Sequence, residues 1–452
     1  MKQKISSSTV YLFSYFIGLA ILGSLVLKLP VLYISKNAVP YIDCLFTAVS
    51  ALCVTGLSSV DMSVYTNAGF LVIMLLIEAG GLGLITFFMF FMVLPSRKIS
   101  LINRKFVKDY FISDVDVNPK RIIANIIIYT LAIQFLGCIL LSIFLSRAGE
   151  DHAVFYGFFI SVSAFCNAGF APYSNNLCNF TDNFPVCFVV ACLIVTGGLG
   201  FTVMTDITSV IKNRIYKKNR LHLSLHSHIV LYVTFFLILV PAIIFFILEY
   251  NNAFKDMTLW QKIGASFFQS VTTRTAGFEI VPQAKYSSAS SLLTEILMII
   301  GGSPGSMAGG IKTTTFFLTI CYAFRRDDDI NELSIFKRDI SNDTIGKATS
   351  LVIKAILFLF TTVIILFIAE NAHLSENIFS VWGLVFEAIS AFGTVGLSCG
   401  VTSSLSVVGK LVIIFIMLGG RTGVIALAIS IHSGASELKR FTDYPEESVL
   451  VG

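Results

Sequence analysis

The stretch FFQSVTTRTAGF, residues 267–278, is a short polar segment between two long apolar runs, and it occurs four times in related form. Its counterparts are FTAVSALCVTGL (46–57), FISVSAFCNAGF (159–170) and FEAISAFGTVGL (386–397), which align with it without a gap. Every copy has Phe first, Gly eleventh and Leu or Phe last. The recurrence predicts a chain built from four related units.

Apolar runs of membrane length flank each copy. The 452-residue chain is 55% hydrophobic and only 13% charged, whereas soluble domains are about 45–50% apolar and about 25% charged. About 20 apolar residues span a bilayer as a helix. The runs lie near 9–34, 68–94, 122–146, 184–211, 228–250, 290–323, 350–370 and 405–431. We therefore predict an all-α integral membrane protein with eight transmembrane helices, arranged as four span-loop-span repeats with pseudo-fourfold symmetry.

Basic residues between the repeats indicate the orientation of the chain. By the positive-inside rule, both termini and the Lys/Arg-rich connections face the cytoplasm. The net charge of +5 follows from this topology, and no nucleic-acid partner is expected. The predicted repeats are 1–94, 122–211, 228–323 and 350–431, connected by cytoplasmic loops 95–121, 212–227 and 324–349 and followed by a cytoplasmic tail, 432–452.

The four loops are too short and too polar to span, yet they lie between spans. Irregular backbone survives at membrane depth only inside protein or along water, so the loops should converge on one axis. The first part of each loop is expected to form about two helical turns: Phe46–Leu52, Phe159–Phe165, Phe267–Thr273 and Phe386–Phe392.

Glycine near the end of each loop lets the backbone turn its carbonyl groups inward. Helix C-termini aimed at the axis add partial negative charge, and rings of carbonyls can replace the hydration shell of a cation. The predicted cation-binding filter, the site for potassium, consists of Val54, Thr55, Gly56, Asn167, Ala168, Gly169, Thr275, Ala276, Gly277, Thr394, Val395 and Gly396.

These features resemble the Trk/Ktr/HKT superfamily of potassium transporters over residues 9–431, because that family also has four span-loop-span units with one glycine per loop. The chain is most similar to the Ktr-type membrane translocating subunit. The resemblance implies potassium uptake across a bacterial cell membrane, a homodimer in contact with lipid, and control by a cytoplasmic nucleotide-binding ring. It also implies sodium as a candidate activator, no cofactor in this chain, and potassium preference from Gly56, where sodium-selective plant relatives carry serine.

The sequence GGSPGSMAGG, residues 301–310, interrupts the second span of the third repeat. Glycine costs about 1 and proline about 3 kcal/mol in a helix, and broken helices are tolerated where they line a cavity. We predict a movable intramembrane gate; a static kink is the alternative. Its predicted residues are Gly301, Gly302, Ser303, Pro304, Gly305, Gly309, Gly310, Lys312 as an anchor or cytoplasmic sensor, and Arg421.

Two arginines lie at positions where a charge is costly. Arg421 falls inside the last span, so it should face the ion path or an ion-pair partner. Arg274 lies within the third loop and must point behind it, because a coordinating arginine would repel a cation. It should point toward a carboxylate, with Glu387 and Glu279 as candidate partners, toward backbone carbonyls or toward the outer water; electrostatic tuning of the entrance is the alternative role.

Paired glycines follow each loop at a nearly constant distance, and either close helix packing or a role in the path would explain them. They are Gly80–Gly81, Gly197–Gly198, Gly301–Gly302 and Gly419–Gly420. The nine cysteines are expected to be reduced packing residues, although Cys178 and Cys187 could pair in an oxidising compartment.

Passive potassium conduction is the favoured function, and obligatory sodium- or proton-coupled symport is the alternative. The spans lack the chains of acidic residues expected of a proton relay. An intramembrane enzyme is remote, because neither a metal-ligand spacing nor a mid-span nucleophile and base occurs.

Overall fold

The computed structural model describes residues 7–35, 39–93, 119–215, 222–324, 333–336 and 338–423. These residues are mainly helical, as predicted. The helices are α1 (Ser7–Leu27), α2 (Tyr41–Leu52), α3 (Asn67–Val93), α4 (Pro119–Arg147), α5 (Ala153–Cys166), α6 (Phe184–Leu199), α7 (Phe201–Ile215), α8 (Leu225–Glu249), α9 (Leu259–Thr272), α10 (Ser288–Ile299), α11 (Thr313–Ala323), α12 (Asn342–Ala369), α13 (Asn371–Ser375), α14 (Val381–Gly393) and α15 (Val407–Leu418).

Smaller elements complete the described part of the chain. Strands β1 (Leu333–Ile335) and β2 (Arg338–Ile340) form an antiparallel hairpin within the predicted cytoplasmic loop 324–349. A π-helical turn, Gly419–Gly423, follows α15. The predicted cytoplasmic loop 95–121 and the tail 432–452 lie almost wholly or wholly outside the described residues.

The helices that precede the loop glycines, α2, α5, α9 and α14, are here called the loop helices. They contain 12, 14, 14 and 13 residues, so the predicted two turns were too short. The extra turns lie at their N-termini, and polar side chains cap two of the four helices, α9 and α14. Thr258 and Gln261 form a capping box on α9, and the Ser380 hydroxyl accepts from the Gly383 N–H on α14.

Three described helices are long and apolar enough to cross a membrane: Ala124–Arg147, Leu225–Glu249 and Asn342–Ala369. The pair α6 and α7 adds a fourth if it is taken as one span, although it bends by 98° at Gly200. The second span of the third repeat is divided into α10 and α11, on either side of residues 300–312. Eight spans remain a prediction.

The loop helices pack between neighbouring predicted repeats, here called units, and not only within their own. Helix α3 of the first unit contacts α5 of the second, α6 of the second contacts α9 of the third, and α10 of the third contacts α14 of the fourth. Helix α15 of the fourth unit contacts α2 of the first, which closes the circle. This arrangement brings the C-terminal ends of the loop helices toward one centre.

A buried ion pair joins the last unit to the first. The Lys410 ammonium on α15 lies 2.7 Å from an Asp43 carboxylate oxygen on α2, and the side chains are only 11% and 10% exposed. The Ser59 hydroxyl donates to the same oxygen at 2.7 Å. Because an unpaired buried charge is costly, the contact between the fourth unit and the first is stable only when both partners are present.

Candidate functional site

All four loops share an unusual backbone conformation two residues before the glycine. The φ angles there are positive: 57° at Val54, 61° at Asn167, 63° at Thr275 and 50° at Thr394. Residues other than glycine, asparagine and aspartate rarely adopt positive φ angles, and β-branched residues do so least of all. Such conformations cost about 1–3 kcal/mol and persist only where surrounding structure enforces them, often at functional sites.

The four loop glycines lie in one ring, in chain order. A Cβ atom added to Gly56 would lie 3.1 Å from the Cα of Gly169, and one added to Gly169 would lie 3.0 Å from the Cα of Gly277. Likewise, a Cβ added to Gly277 would lie 3.1 Å from the Cα of Gly396, and one added to Gly396 would lie 3.0 Å from the Cα of Gly56. Thus the residues that the sequence singles out come together at a single place.

Backbone carbonyl groups line this ring. An added Cβ on Gly56 would collide with the Ala168 oxygen at 2.4 Å, and one on Gly396 with the Thr55 oxygen at 2.1 Å. Only glycine leaves these carbonyls room. Uncharged oxygens together with the negative ends of four helices suit a cation that must bind and leave again. Among the described residues, no cluster of three or more acidic, histidine or cysteine side chains offers a conventional metal site.

Serine hydroxyls support the ring behind the first and fourth loops. The Gly56 N–H donates to the Ser50 hydroxyl oxygen at 3.1 Å, and the Gly396 N–H donates to that of Ser390 at 3.0 Å. Each serine lies in its loop helix, six residues before the glycine, so the helix fixes the orientation of the turn that follows it.

The segment 301–310 forms an irregular loop directly beside the ring. Its ends are closed by hydrogen bonds from the Gly301 N–H to the Ile311 oxygen, at 2.8 Å, and from the Thr313 N–H to the Gly302 oxygen, at 3.0 Å. A Cβ added to Gly309 would lie 2.2 Å from the Thr394 hydroxyl oxygen, within the predicted filter. The loop therefore touches the predicted filter at Thr394 and has no space for a larger side chain at Gly309.

Loop 301–310 docks on the bend between α6 and α7, a contact that sequence reasoning missed. The Ser303 N–H donates to the Gly198 oxygen at 3.0 Å, and the Met307 N–H to that of Gly197 at 3.3 Å. In return, the N–H of Phe201 donates to the loop at the Gly305 oxygen, at 3.1 Å. The bend frees these backbone groups, because they no longer bond within a continuous helix.

Gly200 permits the bend. Its φ angle is 85°, and an added Cβ would lie 2.5 Å from the Ser303 hydroxyl oxygen and 2.9 Å from the Pro304 carbonyl oxygen. Gly200 is the third glycine of GGLG, residues 197–200, but the same four residues at 80–83 lie within the continuous helix α3, so this motif alone does not predict the bend.

Arg421 holds loop 301–310 from the opposite side. Its guanidinium donates to the carbonyl oxygen of Met307 in the loop and, at 2.9 Å, to that of Gly80 in α3. The side chain is buried at 7% exposure. No carboxylate pairs with it among the described residues, so they give no support to the alternative of a buried ion pair. Lys312 donates to the Ala308 oxygen at 2.5 Å, in keeping with a loop anchor.

Arg274 is buried, and neither expected carboxylate partner binds it among the described residues. Glu387 accepts from the hydroxyls of Ser398 and Thr402, and Glu279 accepts from the Ser398 N–H at 3.2 Å. The Nε of Arg274 is buried without a hydrogen-bond partner among the described residues. The predicted carboxylate partners were wrong, because both acids accept hydrogen bonds from Ser398 or Thr402 and neither forms an ion pair with Arg274.

The glycine pairs mainly permit close packing. An added Cβ on Gly80, Gly197 or Gly420 would lie about 2 Å from a carbonyl oxygen at the end of a loop helix. Those oxygens belong to Leu52, Phe165 and Phe392, respectively.

The described cysteines, which are all nine in the sequence, are free. Cys178 and Cys187 do not pair, since their thiols face the backbone oxygens of Glu279 and Phe180.

Comparison of the sequence with known proteins assigns the chain to a family. The TrkH cation transport protein family matches residues 4–438. The potassium/sodium uptake protein NtpJ of Enterococcus hirae is 34% identical over 455 residues, covering 100% of this chain and 98% of that protein. The Ktr system potassium uptake protein B of Bacillus subtilis is 35% identical over 438 residues, covering 96% and 94%.

A solved structure shares the fold. The potassium transporter TrkH of Vibrio parahaemolyticus superimposes with a TM-score of 0.73 at 15% identity, covering 97% of this chain and 87% of that one. The family consists of multi-pass membrane transporters and not of enzymes. The chain belongs to the Trk/Ktr superfamily of cation transport proteins, as a membrane subunit of the Ktr type.

Proposed function

We propose that the chain takes up potassium through the centre of its glycine ring. The observation that carries the proposal is the ring itself: four glycines from four loops within contact distance, lined by backbone oxygens and approached by four helix ends. Potassium is weakly hydrated enough for carbonyl oxygens to replace its water shell. The relatives named for potassium uptake support this choice of ion.

Loop 301–310 is proposed to be the gate. It lies against the filter at Thr394 and is fixed by hydrogen bonds from Arg421 and to the α6–α7 bend. A loop held by hydrogen bonds at its two sides, with small residues between them, can leave its seat without unfolding a helix. Displacement of the loop would open the path beneath the ring.

The membrane topology, oligomeric state and partners of the chain are proposed from the family to which it belongs. Four span-loop-span units with eight spans and cytoplasmic termini, a homodimer with one path per protomer, and a regulatory ring that binds nucleotide are proposed for this chain. The Ktr system relatives, which are named as parts of a system, support a regulatory partner. Sodium as an activator is part of the same proposal.

Reconstituted flux tests the filter and the gate together. Potassium and sodium uptake into liposomes is measured for the wild type, Gly56→Ser and a deletion of 303–309. The serine Cβ would collide with the Ala168 oxygen at 2.4 Å, so discrimination should weaken, while the deletion should raise the leak. Gly18→Ser is the matched control, because Gly18 has no neighbouring atom within 4 Å.

The expected flux follows the electrical gradient alone, with about 2.3 kcal/mol available per charge per 100 mV. Potassium flux that requires a sodium or proton gradient would instead establish the coupled alternative. Unchanged ion ratios in Gly56→Ser and a tight deletion variant would refute both assignments.

A further inference from the structure

The four glycines of the ring fall into two classes by backbone conformation. Gly56 and Gly396 have φ angles of 97° and 95°, whereas Gly169 and Gly277 both have 71°. The four loops align without a gap, so this difference does not come from loop length. The difference must come from the residues of each loop or from the groups that contact it.

The hydrogen bond from the glycine N–H to a serine hydroxyl, found at Gly56 and Gly396, is missing at Gly169 and Gly277 among the described residues. Ser163 lies six residues before Gly169, the same offset as Ser50 from Gly56, yet its hydroxyl has no hydrogen-bond partner among the described residues. The third loop has Val271 at that offset and cannot use a hydroxyl at all. The second loop therefore has the residue for the first arrangement and does not adopt it.

One side chain, Asn176, reaches both glycines of the second class. Its amide nitrogen donates to the carbonyl oxygen of Gly169 at 3.1 Å and to that of Gly277 at 3.3 Å. Its amide oxygen accepts from the Glu279 N–H at 3.3 Å, which orients the donor side toward the ring. Within the described residues, no side chain donates to the carbonyl oxygen of Gly56 or Gly396.

The chain around Asn176 is fixed to the third loop. Asn176 has a φ angle of 53°, in the left-handed region that asparagine tolerates well. The next N–H, of Leu177, donates to the Glu279 oxygen at 2.9 Å, and the Thr181 hydroxyl donates to the Ile280 oxygen at 2.5 Å. Asn176 is thus held at a defined place at the edge of the ring.

We propose that Asn176 is a positioning residue that sets the cation preference of the ring by clamping the carbonyls of Gly169 and Gly277. The inference rests on the proposed function, in which those carbonyls meet the ion. A clamped carbonyl cannot move inward to the shorter distance that sodium requires. The amide donor also occupies part of the lone-pair density of each oxygen, which weakens the field at the ion. Both effects disfavour sodium relative to potassium.

The test uses the full chain in liposomes and measures the ratio of potassium to sodium permeability. Asn176→Asp is isosteric and keeps the acceptor for Glu279 but loses both donated hydrogen bonds; Asn176→Ala loses all three. Asn175→Asp is the matched control, since it adds the same charge at the exposed neighbouring residue. We expect both Asn176 variants to lower the ratio by about tenfold, because each loses the two hydrogen bonds donated to the ring, and the control to keep it.

A ratio that stays at the wild-type value in both Asn176 variants would overturn the proposal. So would an equal fall in Asn175→Asp, because charge at the mouth would then explain the result. The behaviour of Gly56→Ser separates the two hypotheses. If that variant leaves the ratio unchanged, the proposed filter fails; if it lowers the ratio and the Asn176 variants do not, only the clamp fails.

A structural measurement independent of transport covers variants that conduct poorly. In a structure of Asn176→Asp, we expect Gly169 to move from a φ of 71° toward the 97° of Gly56, with its N–H turned to the Ser163 hydroxyl. A glycine that keeps its conformation without the clamp would contradict the inference whatever the flux.

Discussion

Removing the Arg421 side chain should open the path without any regulatory signal. The guanidinium bridges loop 301–310, at the Met307 oxygen, to α3, at the Gly80 oxygen. Hydrogen bonds from charged donors contribute about 1.5–3 kcal/mol each, so the two contribute about 3–6 kcal/mol to the seated position of the loop. Even the lower value shifts the ratio of displaced to seated loop about a hundredfold, at about 1.4 kcal/mol per tenfold.

The assay is potassium leak from liposomes that contain the chain and no cytoplasmic subunit. Arg421→Ala should leak strongly. Arg421→Lys should be intermediate, because a single ammonium group lacks the planar fork that serves two carbonyls. Arg147→Gln, which removes a positive charge at the exposed end of α4, should stay tight. If Arg421→Ala were as tight as the wild type, the hydrogen bonds would not hold the gate and the reasoning would be refuted.

Two further perturbations test neighbouring features of the structure. Gly200→Ala should raise the potassium leak, since its Cβ would lie 2.5 Å from a side-chain oxygen of loop 301–310. Gly149→Ala controls for backbone strain, because Gly149 has the same φ of 85° but open space around it. Equal leaks in the two variants would exclude the collision as the cause. Asp43→Asn should lower the stability by about 3–5 kcal/mol by leaving the Lys410 charge buried and unpaired, measured as thermal unfolding in detergent. Loss of Lys347, in an exposed pair, should cost at most about 1 kcal/mol, and a similar cost for both would contradict the argument.

The ring could be predicted from the sequence because a single physical rule connects its residues. Polar loops between spans must be buried in protein or line water, and glycine at the same offset in each marks where the backbone turns. The loop helices were underestimated for a local reason. Their first turns lie outside the repeated segment, and the caps at Thr258 and Ser380 that start them differ from unit to unit.

Partners of single side chains could not be predicted in the same way. Arg274 was expected to meet Glu279 or Glu387, but these carboxylates accept hydrogen bonds from Ser398 or Thr402 and neither pairs with the arginine. Asn176 reaches Gly277 across 101 residues of sequence. No pattern of hydrophobicity or spacing records such contacts, because they depend on how separate units meet and on which donor satisfies each acceptor first.

If loop 301–310 is the gate, as proposed, its control would depend on contacts that the four predicted repeats do not share. Loop 301–310 comes from the third unit, docks on the carbonyls of Gly197 and Gly198 in the second, and is held by Arg421 of the fourth, which also binds Gly80 of the first. A relative movement of any one unit therefore stretches at least one hydrogen bond of the seated loop. A cytoplasmic partner would need to displace only one unit to release the loop, while the ring above keeps its own packing.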